Sequence, residues 1–363
     1  MSSAVGIGST VYQSLADDLR KSIGQGEYAP GQWIGSEHEL ARQRSISRMT
    51  VRRASEVLIG EGLLERKPGK GLFVKAPQTA TRQIQVIAGN LAWDSCLKIA
   101  RGVQAAGRPL GLRVQICDAH GDAEMDLEVV RQLPESGMTG AVILSFHSPA
   151  LNEAIYRLKA EGFPFVLVDQ RMQDIDVPSV VADNYDGGLQ ACRAVLAEGH
   201  RRVAFLGDLA ARTTADRLSG FRDALGDAGL PVDRSLVVDL DGDQDRLGDW
   251  SARVERATAD LMGRPSPPTA LFCSCDAVAR SAYRALAAAG LNVPGDVSVV
   301  GFDDDPLAEW LSPGLATVRQ PFHEMGERAV QCLRERMADP LVPVAQHVLP
   351  VSFVRRASLG PAR

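Results

Sequence analysis

Residues 30–54 read PGQWIGSEHELARQRSISRMTVRRA, and this stretch holds two helix starts separated by one break. Ser36 followed three residues later by Glu39 is a capping box: the hydroxyl accepts from the N3 amide while the carboxylate reaches back to the cap's own N–H. A short second helix through Leu40 and Ala41 follows. After the break at 43–46, Ser47 caps a third helix expected to run to about Gly60. On it Val51, Ala54 and Leu58 fall on one face, and Arg48, Arg52 and Ser55 on another. The first face is expected to pack and the second to stay free.

Upstream, Leu15, Leu19 and Ile23 recur at helical spacing and stop at Gly24-Gln25-Gly26, which predicts a first helix. Downstream, LLER at 63–66, KPGK at 67–70 and GLFV at 71–74 predict a β-hairpin with a basic tip. Three helices followed by a basic hairpin describe a winged helix-turn-helix, whose third helix enters a major groove while the wing grips phosphates. Charge agrees: within 42–75, Arg42, Arg44, Arg48, Arg52, Arg53, Arg66, Lys67, Lys70 and Lys75 face only Glu56, Glu61 and Glu65, although the whole chain carries a net charge of -5. A basic stripe on an acidic protein is the footprint of nucleic-acid contact.

At 363 residues and 45% hydrophobic, the chain exceeds one ordinary core. Beyond the polar APQTAT at 76–81, β-like apolar runs start near Ile84, Arg113, Gly140 and Phe165, then near Arg202, Leu236, Thr269 and Val297. Each interval has room for one helix, the signature of parallel βαβ units, and two such series predict two lobes around a cleft. Ligands bind open parallel sheets beyond the strand C-termini, where Asn90, Ser145, Asp169, Arg171, Asp183, Asn184, Asp186, Asp208, Asp276 and Asp303 stand. Carboxylates, amide and guanidinium there suit the paired donors and acceptors of a polyol, with Arg217 as a fixed fork and Trp250 as an apolar plate.

Other function classes find little support. No run of about eighteen apolar residues and no leader peptide is read, so a cytoplasmic protein without a membrane partner is expected. The six cysteines are scattered and read as buried thiols. The histidines at 38, 120, 147, 200, 323 and 347 lack metal-ligand spacing, and no G-x-S-x-G or phosphate-loop motif occurs, so neither catalysis nor a cofactor nor a metal is expected. Asp303-Asp304-Asp305 reads as one ligand-facing aspartate beside two structural ones.

The blocks PGQWIGSEHELA at 30–41, SRMTVRRA at 47–54, EGLLER at 61–66 and GKGLFV at 69–74 resemble the GntR family of bacterial regulators. The resemblance implies base and phosphate contacts from Arg48, Thr50 and Arg52, and a close approach of the wing through Gly69, Lys70 and Gly71. Ser36, Arg42, Ser47, Arg53 and Lys67 complete the expected DNA surface. His38 stands where that family usually has a DNA-contacting arginine, Gly35 where it has proline, and Pro68 where it often has glutamine.

The segments DNYDGG at 183–188, EGHRRVAFLG at 198–207, DRLSGF at 216–221, DVSVVGFDD at 296–304 and TVRQPFHEMG at 317–326 resemble the effector domain of the lactose-repressor (LacI/GalR) family. That resemblance implies effector contacts from Arg217, Asp303, Asp186, Trp250 and Gln320. Cys275 replaces an asparagine that commonly bonds the sugar. With Asn90, Ser145, Arg171, Asp183 and Asp276 these make up the expected effector site. The fusion of the two families resembles regulators of the arabinose-repressor type.

The expectation is therefore an α/β protein with a winged helix-turn-helix domain at 1–76, a linker at 77–82 and a two-lobed, periplasmic-binding-protein-like domain at 83–363. Lobe one is placed at 83–199 and 319–341, lobe two at 200–318 and 342–357. The expected activity is that of a homodimeric repressor released from double-stranded operator DNA by a sugar. A corepressor-dependent repressor, or an activator sensing a non-sugar metabolite, stands as the alternative.

Overall fold

The computed structural model describes residues 7–67, 69–75, 82–144, 148–172, 175–240, 250–339 and 342–363, with side chains from Val11 onward. Its contacts divide the chain after Thr81 into two compact units.

The first unit runs α1 (Ile7–Gly24), β1 (Trp33–Gly35), α2 (Glu37–Arg44), α3 (Arg48–Gly60), β2 (Leu64–Lys67) and β3 (Gly71–Val74). Both halves of the capping box at Ser36 and Glu39 are made, and Ser47 caps α3 through the Thr50 amide. Leu15 and Leu19 of α1, Leu40 of α2, Val51, Ala54 and Leu58 of α3, and Leu64, Leu72 and Val74 of the hairpin form one buried core. Ser55 departs from its expected free face: it is 1% exposed, and its hydroxyl donates to the Arg52 carbonyl. The buried residues Val51, Ala54, Ser55 and Leu58 span an arc of about 100°, and Ser55 lies at its edge. The sequence reading also lacked β1, which pairs antiparallel with β3. Gly71 permits that pairing, because at φ +99° an added Cβ would lie 2.8 Å from the Gly35 carbonyl oxygen.

The second unit begins with β4 (Gln83–Ala88), α4 (Asp94–Gly107), β5 (Arg113–Asp118), α5 (Ala123–Gln132), β6 (Gly140–Leu144), α6 (Pro149–Ala160), β7 (Phe165–Val168) and β8 (Ser179–Ala182). It continues with α7 (Asn184–Ala197), β9 (Val203–Gly207), α8 (Arg212–Asp227), β10 (Val237–Asp239), α9 (Trp250–Met262), β11 (Ala270–Cys273), α10 (Asp276–Ala288), β12 (Ser298–Val300) and α11 (Pro306–Trp310). The last elements are β13 (Thr317–Arg319), α12 (Phe322–Ala338), β14 (Gln346–Leu349) and β15 (Ser352–Val354). A parallel six-stranded sheet in the order β14-β8-β7-β6-β4-β5 builds lobe one, and a parallel four-stranded sheet in the order β10-β9-β11-β12 builds lobe two. The antiparallel pair β13 and β15 runs where the chain passes between them.

Two expected lobe boundaries are corrected. α7 was placed in lobe one, yet it packs on α8, β13 and β15 and belongs to lobe two, so the first crossing falls near 183 rather than 199. Residues 342–357 were placed wholly in lobe two, but β14 pairs with β8 and completes the sheet of lobe one. An unpaired edge on β8 is a template for one more strand, and β14 covers it.

Each lobe holds one pair of helices in backbone contact. In lobe two, a Cβ added at Gly188 of α7 would lie 2.1 Å from the Arg217 carbonyl oxygen, and one at Gly220 of α8 2.0 Å from that of Tyr185. In lobe one, Gly102 of α4 and Gly326 of α12 stand in the same relation to His323 and Ile99. Phe205, Phe221 and Phe272, with ring centroids 5.3 to 6.0 Å apart, seat α8 on its sheet. The C-terminal segment closes lobe two. Buried His200 bonds Thr269 Oγ1 at 2.9 Å, and its Nε2 lies 3.0 Å from the Gly360 carbonyl oxygen, while the Ala362 amide donates to Glu198.

Gly220→Ala should therefore lower stability by about 1–3 kcal/mol through overpacking against backbone that has no room to yield. Gly226→Ala in the same helix meets nothing within 4 Å and should be neutral or stabilising. Equal urea midpoints for the two variants would contradict the close contact.

Candidate functional site

The first unit carries exposed basic residues on α2, α3 and the wing: Arg42 at the end of α2, Arg48, Arg52 and Arg53 on α3, and Arg66, Lys67 and Lys70 in the hairpin. Glu37, whose side chain is only 16% exposed, accepts from Arg66 at 2.7 Å and lies 3.6 Å from Arg48, so it ties the wing to the head of α3. Arg52 pairs with Glu56 at 3.0 Å, both exposed. Ser36 and Ser47 spend their hydroxyls as helix caps, and Thr50 bonds Ser47 at 2.8 Å. In the wing, Lys67 stands over Phe73 and beside Glu65, and the Trp33 indole donates to the Lys70 carbonyl at 2.8 Å. Gly69 and Gly71 turn the tip at positive φ, and Pro68 lies outside the described residues.

In the second unit a small cluster of charged and polar side chains surrounds Arg217. Arg217 on α8 is 5% exposed. Its Nε donates to Asn184 Oδ1 at 2.8 Å, one Nη donates to the Ser274 carbonyl, and the guanidinium lies 3.8 Å from the centre of the Phe302 ring. The same Nη is 3.8 Å from Asp303, whose Oδ1 accepts from Gln320 Nε2 at 2.7 Å. Two buried acceptors, Gln320 Oε1 and Asp169 Oδ1, have no hydrogen-bond partner in the structure. Burial pushes the Asp303 carboxyl up to about 7 against the pull of Arg217, with Asp169 adding to the rise. Burial likewise lifts Asp169 to about 6, again opposed by Arg217.

Asp169 and Asp303 leave strands β7 and β12 at φ +60° and +117°. Such backbone costs on the order of 1–3 kcal/mol per residue and persists only where the surroundings enforce it. Here the amide of Asp169 is held by the Val180 carbonyl at 3.0 Å and that of Asp303 by Val318 at 2.8 Å. A wall with a fixed guanidinium and unpartnered acceptor oxygens calls for a ligand that donates hydrogen bonds, and a second anion beside two carboxylates is disfavoured.

Several expected effector residues are engaged elsewhere. Asn90 accepts from the Ala92 amide, Asp183 caps α7, and Asp186 accepts from Gln190, which in turn holds Phe353 of β15. Asp276 spends one oxygen on Thr317 at 2.6 Å and the other on the Asp305 amide at 2.8 Å. Arg171 reaches Asp216 at 3.0 Å. Cys275 begins α10, and burial, with Asp303 nearby, pushes its thiol up to about 12, so it stays protonated. Trp250 opens α9 and packs partly buried on the core of lobe two. Ser145 lies outside the described residues. The site list lacked Asp169 and Asn184, although both stand in the ring of strand-end residues, and it lacked Phe302, whose place before Asp303 was the available signal.

Residues 11–74 match the family described as bacterial regulatory proteins of the gntR family, and residues 192–359 match the periplasmic binding protein-like domain. The chain is 29% identical over 343 residues to the arabinose metabolism transcriptional repressor of Geobacillus stearothermophilus, covering 91% of this chain and 93% of that one. It is 32% identical over 289 residues to the ribose operon repressor of Haemophilus influenzae, covering 79% and 83%. Among solved structures it is similar to a LacI family transcriptional regulator from Enterococcus faecium with bound ribose, at 25% identity and a TM-score of 0.65, over 77% of this chain and all of that one. No helix among the described residues is long and apolar enough to cross a membrane.

The buried carboxylates make stability depend on pH with a definite sign. The folded protein holds a proton on Asp303 where an unfolded carboxyl, near about 3.9, has lost it. That contribution is present in full below about pH 4 and is lost as pH rises through about 7. Melting temperatures without ligand should therefore fall between about pH 4 and 7 and level off above that range, and Asp303→Asn should flatten that fall. An unchanged slope in the variant would remove Asp303 as its source.

Proposed function

The chain belongs to the bacterial transcription regulators that set a gntR-family winged helix before a LacI-type, periplasmic-binding-protein-like domain, and from that premise we propose that it is a repressor whose hold on operator DNA weakens when a sugar or related polyol enters the cleft. The observation that carries this reading is the cluster of Arg217, Asp303 and Gln320 with its unpartnered acceptors at Gln320 and Asp169. Hydroxyl groups donate and accept at once, so a neutral polyol satisfies both the oxygens and the guanidinium. The relatives named for arabinose metabolism and the ribose operon, and the similar structure with bound ribose, support a pentose.

In this reading α3 lies in the major groove, with Arg48 and Arg52 directed to bases and Lys67 and Lys70 to phosphates. The protein acts in the cytoplasm as a homodimer on a palindromic site, and neither a catalytic step nor a cofactor is part of its action. Ligand changes operator affinity through a coupling of about 1–3 kcal/mol.

The test is fluorescence anisotropy on operator DNA selected from a random pool, with L-arabinose and D-ribose added at fixed salt. Arg48→Ala and Arg52→Ala should each lose about 1–3 kcal/mol of operator affinity and keep sugar binding. Arg217→Ala and Asp303→Ala should fold and bind operator but stay bound when sugar is added, because loss of a desolvated, hydrogen-bonded charge costs about 2–5 kcal/mol of ligand affinity. An Arg217→Ala protein released at the wild-type sugar concentration would remove the cluster from the site. Operator affinity that rises with sugar would reverse the proposed sign.

A further inference from the structure

Arg171 and Asp216 belong to opposite lobes. Arg171 follows β7 in the sheet of lobe one, and Asp216 lies on α8 of lobe two. Their side chains meet at 3.0 Å, and Arg212 approaches the other Asp216 oxygen at 3.1 Å. The two side chains are 34% and 20% exposed, against 6% for Arg217 and 27% for Asp303.

The neighbouring positions carry the signs exchanged: Asp169 stands two residues before Arg171, and Arg217 follows Asp216. A slip that set Arg171 against Arg217 would oppose like charges.

We propose that Arg171 and Asp216 form an electrostatic gate that holds the lobes closed over the ligand without touching it. Arg171, expected from the sequence to bind effector, is then a positioning residue. This inference rests on the cleft being the effector site.

The experiment takes the full-length protein as Arg171→Ala, Asp216→Ala, the double variant, and the exchange of Arg171→Asp with Asp216→Arg made together with Arg212→Ala, which removes the like charge that Arg212 would otherwise set against the exchanged position. Each is titrated calorimetrically with L-arabinose and D-ribose at low and high salt, and small-angle scattering is recorded without ligand. Each single variant should weaken sugar binding about threefold to tenfold, and the double variant should be no weaker than the worse single one. The exchange should restore affinity to within about twofold, and high salt should shrink every difference. The gate is overturned if Arg171→Ala abolishes sugar binding as Arg217→Ala does, which makes it a ligand contact, or if the two single losses multiply. Should the wild-type protein bind neither sugar, the sugar reading fails and scattering alone decides the gate. A radius of gyration that grows in both single variants and returns in the exchange supports it, and an unchanged radius overturns it.

Discussion

The contact on which the cleft depends is made by atoms that are missing. Gly188 and Gly220 bring the backbones of α7 and α8 together more closely than any side chain would permit. That approach sets Asn184, at the start of α7, against Arg217, at the middle of α8, with an Nε to Oδ1 distance of 2.8 Å. A guanidinium buried this deeply is tolerable only when its N–H groups are taken up. Asn184, the Ser274 carbonyl and the face of Phe302 do this before any ligand arrives. Lobe one uses the same device between α4 and α12, so each half of the sensor has one rigid helix pair behind the surface it turns to the cleft.

Rigidity has an electrostatic counterpart. Asp276 is buried and Asp303 and Asp169 are half-buried, and removal from water makes all three carboxyls harder to ionise, but they answer it differently. Asp276 is consumed by Thr317 and the Asp305 amide and serves the fold. Asp304 is drawn the other way: burial opposes its charge, but Arg319 and Arg356 grip it from both sides and hold it below the usual carboxylate range. Asp303 and Asp169 keep part of their hydrogen-bonding capacity unspent, and that unspent capacity supports the proposed effector site.

The winged unit was legible because its signals are local. Capping residues at Ser36 and Ser47, apolar spacing on α3 and the glycines of the wing each name a conformation within a few residues. The parallel sheets were legible from apolar runs each followed by room for one helix. The crossings between lobes were not, because β8, β13, β14 and β15 break that alternation and are too short to show a period of their own. Nor does residue type separate a ligand aspartate from a capping one. Asp183 and Asp303 both follow strands and both accept hydrogen bonds, and only the fold shows that the first serves an amide of its own helix while the second faces Arg217. Gly35, read as a departure from a proline position, proves to sit at φ +127°, a backbone angle closed to proline.

The late return of the chain to lobe one bears on the order in which the protein is made. The head finds its core partners within residues 15–74, whereas the sheet of lobe one receives an edge strand from 346–349, and lobe two is fastened through His200 to Gly360. Chains emerge from the ribosome N-terminus first, and nearby contacts form sooner than distant ones. A DNA-binding head can therefore fold while neither lobe is complete, and a chain that ends anywhere between the head and 346–349 carries a folded head without a finished sensor.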